Sequence, residues 1–240
     1  MDIIKKIAEK STDLFGKKTP VIAFLGDSVT QGCFECYMDG EDLKTVFDKN
    51  SAYHNYLAKI LGILFPSAPV TMINAGISGD SSAGGYKRLE RDVLPFHPDL
   101  TVVSFGLNDA WNGLDYIPTY KENLKNIFMS LQNGGSEVIF MTANMMNTKL
   151  SPYLAEGTIK QVAKGTMELQ NNGVVEAYFS AAKEAAAECG VKVCDVYSKW
   201  KQMQDNGVDT TSLLANYINH PVREMNWLFA VSLIDCMFQE

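Results

Sequence analysis

The feature that most constrains this chain is an alternation. Short apolar runs at residues 21–25, 70–74, 100–105, 138–142 and 191–196 are separated by longer amphipathic stretches. Each run is nearly continuous in apolar residues and is bounded by Gly, Pro, Asn or Asp, the pattern of strands buried on both faces. Strands alternating with helices predict a parallel sheet with helices packed on it. Helix candidates span 51–64, 82–94, 117–131, 174–189 and 223–238. In the first, Tyr53, Tyr56, Leu57, Ile60, Leu61 and Leu64 share a face, and the Ala-rich run 174–189 ends before Gly190, a natural helix stop. Segment 145–172 breaks the rhythm. A structureless loop of that length is unusual, so a helix is expected within it, either an ordinary excursion or a cover over a pocket. With no internal repeat, low-complexity tract or linker, the expectation is one domain over 1–240, residues 1–18 forming a leading helix or arm.

Composition bears on partners rather than on fold. A formal charge of −7 argues against nucleic acid, which requires a basic surface, and against anionic lipid. No apolar stretch reaches the roughly 18 residues of a membrane span, and the first residues carry charge among apolar positions rather than a hydrophobic leader. Cys33, Cys36, Cys189, Cys194 and Cys236 are odd in number and read as free thiols of a reducing cytoplasm. Cys33 and Cys36 make a C-x-x-C, read as two reduced thiols in a loop. A zinc site would need further ligands that the sequence does not cluster, so no metal is expected.

In doubly wound sheets ligands bind beyond the carboxyl ends of the strands, so the segments that follow the strands carry the chemical information. After the first comes Gly26-Asp27-Ser28-Val29-Thr30. A serine there is a candidate nucleophile that needs an adjacent base, although Gly-Asp-Ser is also an ordinary turn. After the second comes Asn74-Ala75-Gly76-Ile77-Ser78-Gly79-Asp80-Ser81, whose glycines let a backbone N–H face a cleft as an oxyanion donor. A phosphate cradle is the competing reading, but the Lys of a G-x-x-x-x-G-K-[ST] loop is missing. After the third comes Gly106-Leu107-Asn108-Asp109, where the Asn side chain is either an oxyanion donor or a turn or cap. Among three histidines, His54 lies within a helix candidate and His97 precedes the third strand at the wrong end of the sheet. His220, in Asn216-Tyr217-Ile218-Asn219-His220-Pro221, is left as the well-placed base.

These blocks, in this order and spacing, resemble those of the GDSL or SGNH hydrolases from about residue 21 to 230. The resemblance implies a three-layer α/β/α flavodoxin-like fold with a five-stranded parallel sheet. It implies Ser28 as nucleophile, His220 as general base, and an oxyanion hole made by the N–H of Ser28, the N–H of Gly79 and the Asn108 amide. One departure stands out: the family carries an Asp three residues before the His, and here that position is Tyr217. The acid orients the imidazole and stabilises its protonated form. Asn216 could accept the imidazole N–H in its place, a main-chain carbonyl could do so in a Ser-His dyad, or Asp209 could reach in. The α/β-hydrolase elbow G-x-S-x-G fits poorly, because Thr30 fills its last position.

The expected reaction is therefore cofactor-free acyl transfer to water on a small-molecule ester. Short acyl groups, acetyl above all, on a carbohydrate or other small alcohol are the expected substrates, with Trp111, Tyr116 and Tyr120 as candidate stacking surfaces. Two readings compete with hydrolysis. One is a weak or inactive protein of the same fold that binds an acylated or carbohydrate ligand. The other is a phosphate- or flavin-binding flavodoxin-like protein, which leaves His220 unexplained. Oligomeric state is not set by the sequence.

Overall fold

The structure is a computed structural model that describes residues 1–239. In chain order its strands are β1 (Val21–Gly26), β2 (Cys33–Asp39), β3 (Asp42–Phe47), β4 (Thr71–Gly76), β5 (Leu100–Ser104), β6 (Glu137–Met141) and β7 (Lys192–Cys194). Five of them form one parallel sheet in the order β4-β1-β5-β6-β7. The chain leaves β1 for β4 on one side and returns to β5 on the other, so the direction of winding reverses at β1. Such a reversal opens a crevice beyond the strand ends.

The helices are α1 (Asp2–Thr12), α2 (Ser28–Gln31), α3 (Tyr53–Leu64), α4 (Ser82–Asp92), α5 (Ile117–Asn133), α6 (Thr158–Asn171), α7 (Val174–Glu188), α8 (Val196–Asp205) and α9 (Asn226–Phe238). Because parallel crossovers are right-handed, reversing the winding puts successive helices on opposite faces. Accordingly α4, α5 and α7 pack side by side on one face, while α3, α9, α1 and α8 make the other layer. One apolar core, from Ile3 and Ile7 of α1 to Met237 of α9, joins these layers through the sheet. Ile22 to Leu25, Leu100, Val102, Val103, Ile139 and Phe140 are fully buried within it, each such side chain stabilising the fold by roughly 1.5–3 kcal/mol.

The expected strands and helices lie where the sequence puts them, with ends moved by a few residues. The differences have local causes. The run at β4 is not buried on both faces, because it is the sheet edge: Thr71 and Asn74 are exposed. On α3, Leu64 is exposed and His54 is buried in its stead. The last apolar run ends early, since Asp195 turns out of the sheet and caps α8 by accepting the Ser198 N–H at 3.1 Å. Segment 145–172 holds α6, as expected. The largest surprise is the β2–β3 hairpin, a two-stranded antiparallel ribbon outside the main sheet. Cys33 and Cys36 lie on its first strand rather than in a loop, and both are free thiols.

Candidate active site

The segment bearing Ser28, the expected nucleophile, turns sharply off β1 into the single turn of α2. Asp27 caps that turn, its Oδ1 accepting the Val29 N–H at 3.0 Å. Gly76 of β4 lies directly against the backbone of Thr30 and Gln31, where a Cβ would overlap main-chain atoms. Its missing side chain lets α2 settle on the strand ends. Ser28 is thereby fixed at the winding reversal, almost fully buried.

His220 meets it from the loop between α8 and α9. Its Nε2 is 2.9 Å from Ser28 Oγ, and its Nδ1 is 2.9 Å from the carbonyl oxygen of Phe34 on β2. A carbonyl only accepts, so the proton belongs on Nδ1. Nε2 then presents its lone pair to the Ser28 hydroxyl, which donates. This is the tautomer that a general base requires. Burial pushes the imidazole down to about 4, against the opposing pulls of the Phe34 carbonyl and Glu35. His220 is therefore neutral near pH 7, the form that can take a proton.

The main-chain carbonyl, not Asn216, receives the imidazole N–H. Asn216 serves the loop instead: its Oδ1 accepts the backbone N–H groups of Ile218, Asn219 and His220 at 2.9–3.0 Å. The residue expected to orient the ring orients the backbone that carries it. Asp209 is also elsewhere, 2.8 Å from Lys149. Tyr217, at the position of the family's acid, has φ 54°, a left-handed conformation unusual for a bulky residue.

The expected oxyanion donors follow β4 and β5. Asn108 donates one amide N–H to the carbonyl of Asp80 at 2.8 Å, leaving its second for a ligand. Gly79 has φ +78° and open space where a Cβ would be. Among the described residues, the N–H groups of Gly79 and Ser28 make no hydrogen bond.

Arg88, which the sequence reading passed over, braces this side. Its guanidinium bonds Asp80 at 2.6 Å, the Ala75 carbonyl at 2.6 Å and the Gly26 carbonyl at 2.9 Å. One buried side chain thus ties together the ends of β1 and β4 and the loop bearing Gly79. Asp109 is buried as well, accepting the Ser82 hydroxyl at 2.6 Å. Desolvation pushes the carboxyls of Asp27 and Asp109 up to about 7 and about 6.

The other histidines stand apart. His54 is buried between the rings of Phe24 and Tyr53, and His97 is exposed at the opposite end of β5. Of the aromatic candidates, Tyr120 is fully buried with its hydroxyl on the Phe105 carbonyl at 2.9 Å, so it belongs to the core. Tyr116 is half-buried, and Trp111, half-exposed, lies over Gly165 of α6. Among the described residues no three His, Cys, Asp or Glu side chains converge as metal ligands do.

Comparison with known proteins gives the same residues a context. The profile of the GDSL-like Lipase/Acylhydrolase family matches residues 24–228. An acetylxylan esterase of Geobacillus stearothermophilus is 25% identical over 156 residues, 61% of this chain and 66% of that protein. An arylesterase of Vibrio mimicus is 32% identical over 72 residues, 30% of this chain and 36% of that protein. The chain thus aligns with less than two thirds of the length of either curated relative. Among solved structures, the Geobacillus acetylxylan esterase superposes with a TM-score of 0.68 at 20% identity, covering 92% of this chain and 95% of the other. A lipase/acylhydrolase from Enterococcus faecalis gives 0.65 at 22% identity, covering 90% and 94%. The profile match runs from within β1 to the start of α9, including Ser28, Gly79, Asn108 and His220, and the chain therefore belongs to the GDSL-like lipase/acylhydrolase family.

Proposed function

We propose that the protein is a serine esterase that forms an acyl-enzyme on Ser28, acting on short-acyl esters, acetyl above all, of a carbohydrate or other small alcohol. The observation that carries this reading is the 2.9 Å contact between Ser28 Oγ and a neutral His220 Nε2. His220 takes the hydroxyl proton as the oxygen attacks the ester carbonyl. The N–H groups of Ser28 and Gly79 and the free Asn108 amide N–H receive the oxyanion. Protonated His220 then gives its proton to the departing alcohol, and water repeats the sequence to release the acid.

The surroundings of the His loop bear on substrate size. A cavity of about 280 Å³ opens beside Tyr217, lined by Lys149, Ser151, Tyr153, Thr211 and Ser212 among others. Its lining also includes Pro152 and Asp209, the latter paired with Lys149 at 2.8 Å, and its size suits a small alcohol better than a long acyl chain. The relatives named for acetylxylan point the same way.

The test is hydrolysis of a p-nitrophenyl ester series from acetyl upward by the wild type and by Ser28→Ala. The expected result is activity greatest on the shortest esters and a loss of about 10⁴-fold or more in the variant. Equal rates for the two proteins would remove Ser28 from the reaction. A second reading, a ligand-binding protein with little turnover, is favoured by one feature: the imidazole N–H meets a neutral carbonyl instead of a carboxylate. Binding of acetylated xylooligosaccharide with no Ser28-dependent hydrolysis would establish it.

A further inference from the structure

A hydrogen-bond acceptor on a surface hairpin is a poor substitute for a buried acid unless something holds the hairpin still. Two-stranded ribbons are marginal on their own, and β2–β3 has no partner in the main sheet. The register between the two strands also shifts between Cys33 and Cys36, at the residues that flank the Phe34 carbonyl. Burial of Cys33 and Phe34 and the reach of Asn216 Nδ2 to Cys36 Sγ at 3.6 Å anchor the start of β2, but the rest of the ribbon is half-buried or exposed and leaves that carbonyl to be held from its outer side.

Arg223, three positions after His220, reaches across to this point. Its guanidinium grips the Glu35 carboxylate with two bonds, Nη1 at 2.6 Å and Nη2 at 3.1 Å. Its Nε bonds Asp48 at 3.0 Å, and its Cζ stands 4.3 Å above the centre of the Phe34 ring. Glu35 neighbours Phe34 on β2, whereas Asp48 follows β3 and donates its N–H to the Gly32 carbonyl at 2.9 Å. One side chain therefore grips both ends of the hairpin and the ring of the residue whose carbonyl holds His220. We propose that Arg223, with Glu35 and Asp48, is a positioning clamp that holds the Phe34 carbonyl against His220 Nδ1 and so takes over the orienting role of the acid that position 217 lacks.

The ordinary alternative is a surface ion pair that contributes little, since Arg223 and Glu35 are partly exposed and exposed pairs are weak. Geometry separates the two. A bidentate fork combined with stacking on an aromatic ring fixes direction as well as distance; Glu35 adjoins the His220 acceptor, and Asp48 connects to it through Gly32, two residues before Phe34. The division of labour is also physical. A carbonyl selects the tautomer as an Asp does, but it brings no charge, so the clamp supplies position and leaves transition-state charge to the oxyanion side. Glu35 is the charged group acting on His220, and its carboxylate is held below its usual range chiefly by Arg223. Ser28, hydrogen-bonded to the ring, is neutral.

The proposal rests on the esterase reading for its kinetic test, and the measurements keep the two apart. Arg223→Gln and Arg223→Lys would be compared with wild type for kcat, KM and the pH dependence of kcat/KM. Folded fraction would be followed by circular dichroism. Displacing the base by an ångström costs about 100-fold, so Arg223→Gln is expected to lose about 10- to 100-fold in kcat with KM within about threefold. Its acid limb should also rise. Water reaching the loosened imidazole removes the burial that holds it near 4, and a freed Glu35 carboxylate pushes the same way. Arg223→Lys keeps the charge but loses the fork and the stacking, and should resemble Arg223→Gln more than wild type.

A folded Arg223→Gln with wild-type kcat and an unmoved limb would overturn the clamp. So would a loss that tracks the folded fraction with the limb in place, or full rescue by Lys. The imidazole ¹⁵N shifts of His220 give a readout that needs no turnover, since only two other histidines contribute signals. An Nδ1–H tautomer with a low midpoint in wild type, lost in Arg223→Gln, supports the clamp even if no ester is hydrolysed. An unchanged tautomer and midpoint sink it even if the esterase reading stands.

Discussion

The two halves of the site are built in opposite ways. The half bearing Ser28, Gly79 and Asn108 grows from the ends of β1, β4 and β5, and Arg88 cross-braces it from inside with bonds to Gly26, Ala75 and Asp80. The half bearing His220 lies outside the sheet, on a loop bonded to a surface hairpin. Its braces are Asn216, which organises the loop backbone, and Arg223, which grips the hairpin. The first half inherits its rigidity from the sheet, and the second must assemble it from side chains. Catalysis by pre-organised groups needs both to hold position. The sheet half accordingly carries the strain of buried charge, and the loop half carries the strain of backbone.

The largest effect that sharpens this contrast is on the oxyanion side. Asn108→Ala should lower kcat by about 100-fold or more while KM changes little, as removal of one oxyanion donor does. A kcat within a few-fold of wild type would take Asn108 out of the hole and leave it as a loop brace on Asp80.

Buried charge in the same half predicts a pH signature. The Asp27 carboxyl is raised from 3.8 to about 7, mainly by desolvation. Because the folded value lies above the unfolded one, the native state holds the proton where the unfolded chain has lost it. That contribution to stability is complete below about pH 4 and is lost as pH rises through about 7. A displacement of this size corresponds to roughly 4 kcal/mol. Asp27→Asn keeps an oxygen to accept the Val29 N–H and loses the charge. It should therefore flatten the stability profile between about pH 4 and 7 and be the more stable protein at pH 8, by a few kcal/mol. Urea unfolding across that range measures it. A variant less stable than wild type at pH 8 would mean that the Asp27 carboxylate is held by more than its cap.

The same asymmetry governs what can be read from sequence. Ser28, Gly79 and Asn108 sit directly after strands, so apolar periodicity locates the strands and the strand ends locate the residues. The His220 side is legible only in part. His220 stands out by elimination, but its partner is the carbonyl of Phe34, and a backbone acceptor leaves no mark in a side-chain pattern. The β2–β3 hairpin is equally hidden, because its run mixes Cys33, Glu35, Asp39, Glu41 and Lys44 among apolar residues without the clean alternation of a half-buried strand. Arg88 and Arg223 look like ordinary surface charges in sequence, since the carbonyls and carboxylates they bind are brought together only by folding. Asn216 was legible as a residue that supports the base and illegible in how. Its reach to backbone N–H groups over the ring depends on the turn that Tyr217 makes.

That turn provides the smallest prediction, and it tests whether the loop half pays in backbone strain for its position. Tyr217 occupies left-handed space at φ 54°, which an L-residue with a bulky side chain enters at a cost of roughly 1–2 kcal/mol. Its ring recovers part of that beside Tyr153, 6.0 Å away between centroids, a contact worth about 0.5–1.5 kcal/mol between aromatic rings. Tyr217→Asn puts a residue tolerant of this region at the same point and forfeits the ring contact. The difference is a gain of about 1 kcal/mol or less in unfolding free energy. Asn216 still holds the three N–H groups in either case, so His220 keeps its place. A loss of more than about 1 kcal/mol in the variant would instead mean that the tyrosine pair is the stronger term. The loop would then be held by its wall at Tyr153 as much as by its own turn, and the two halves of the site would differ less than their backbones suggest.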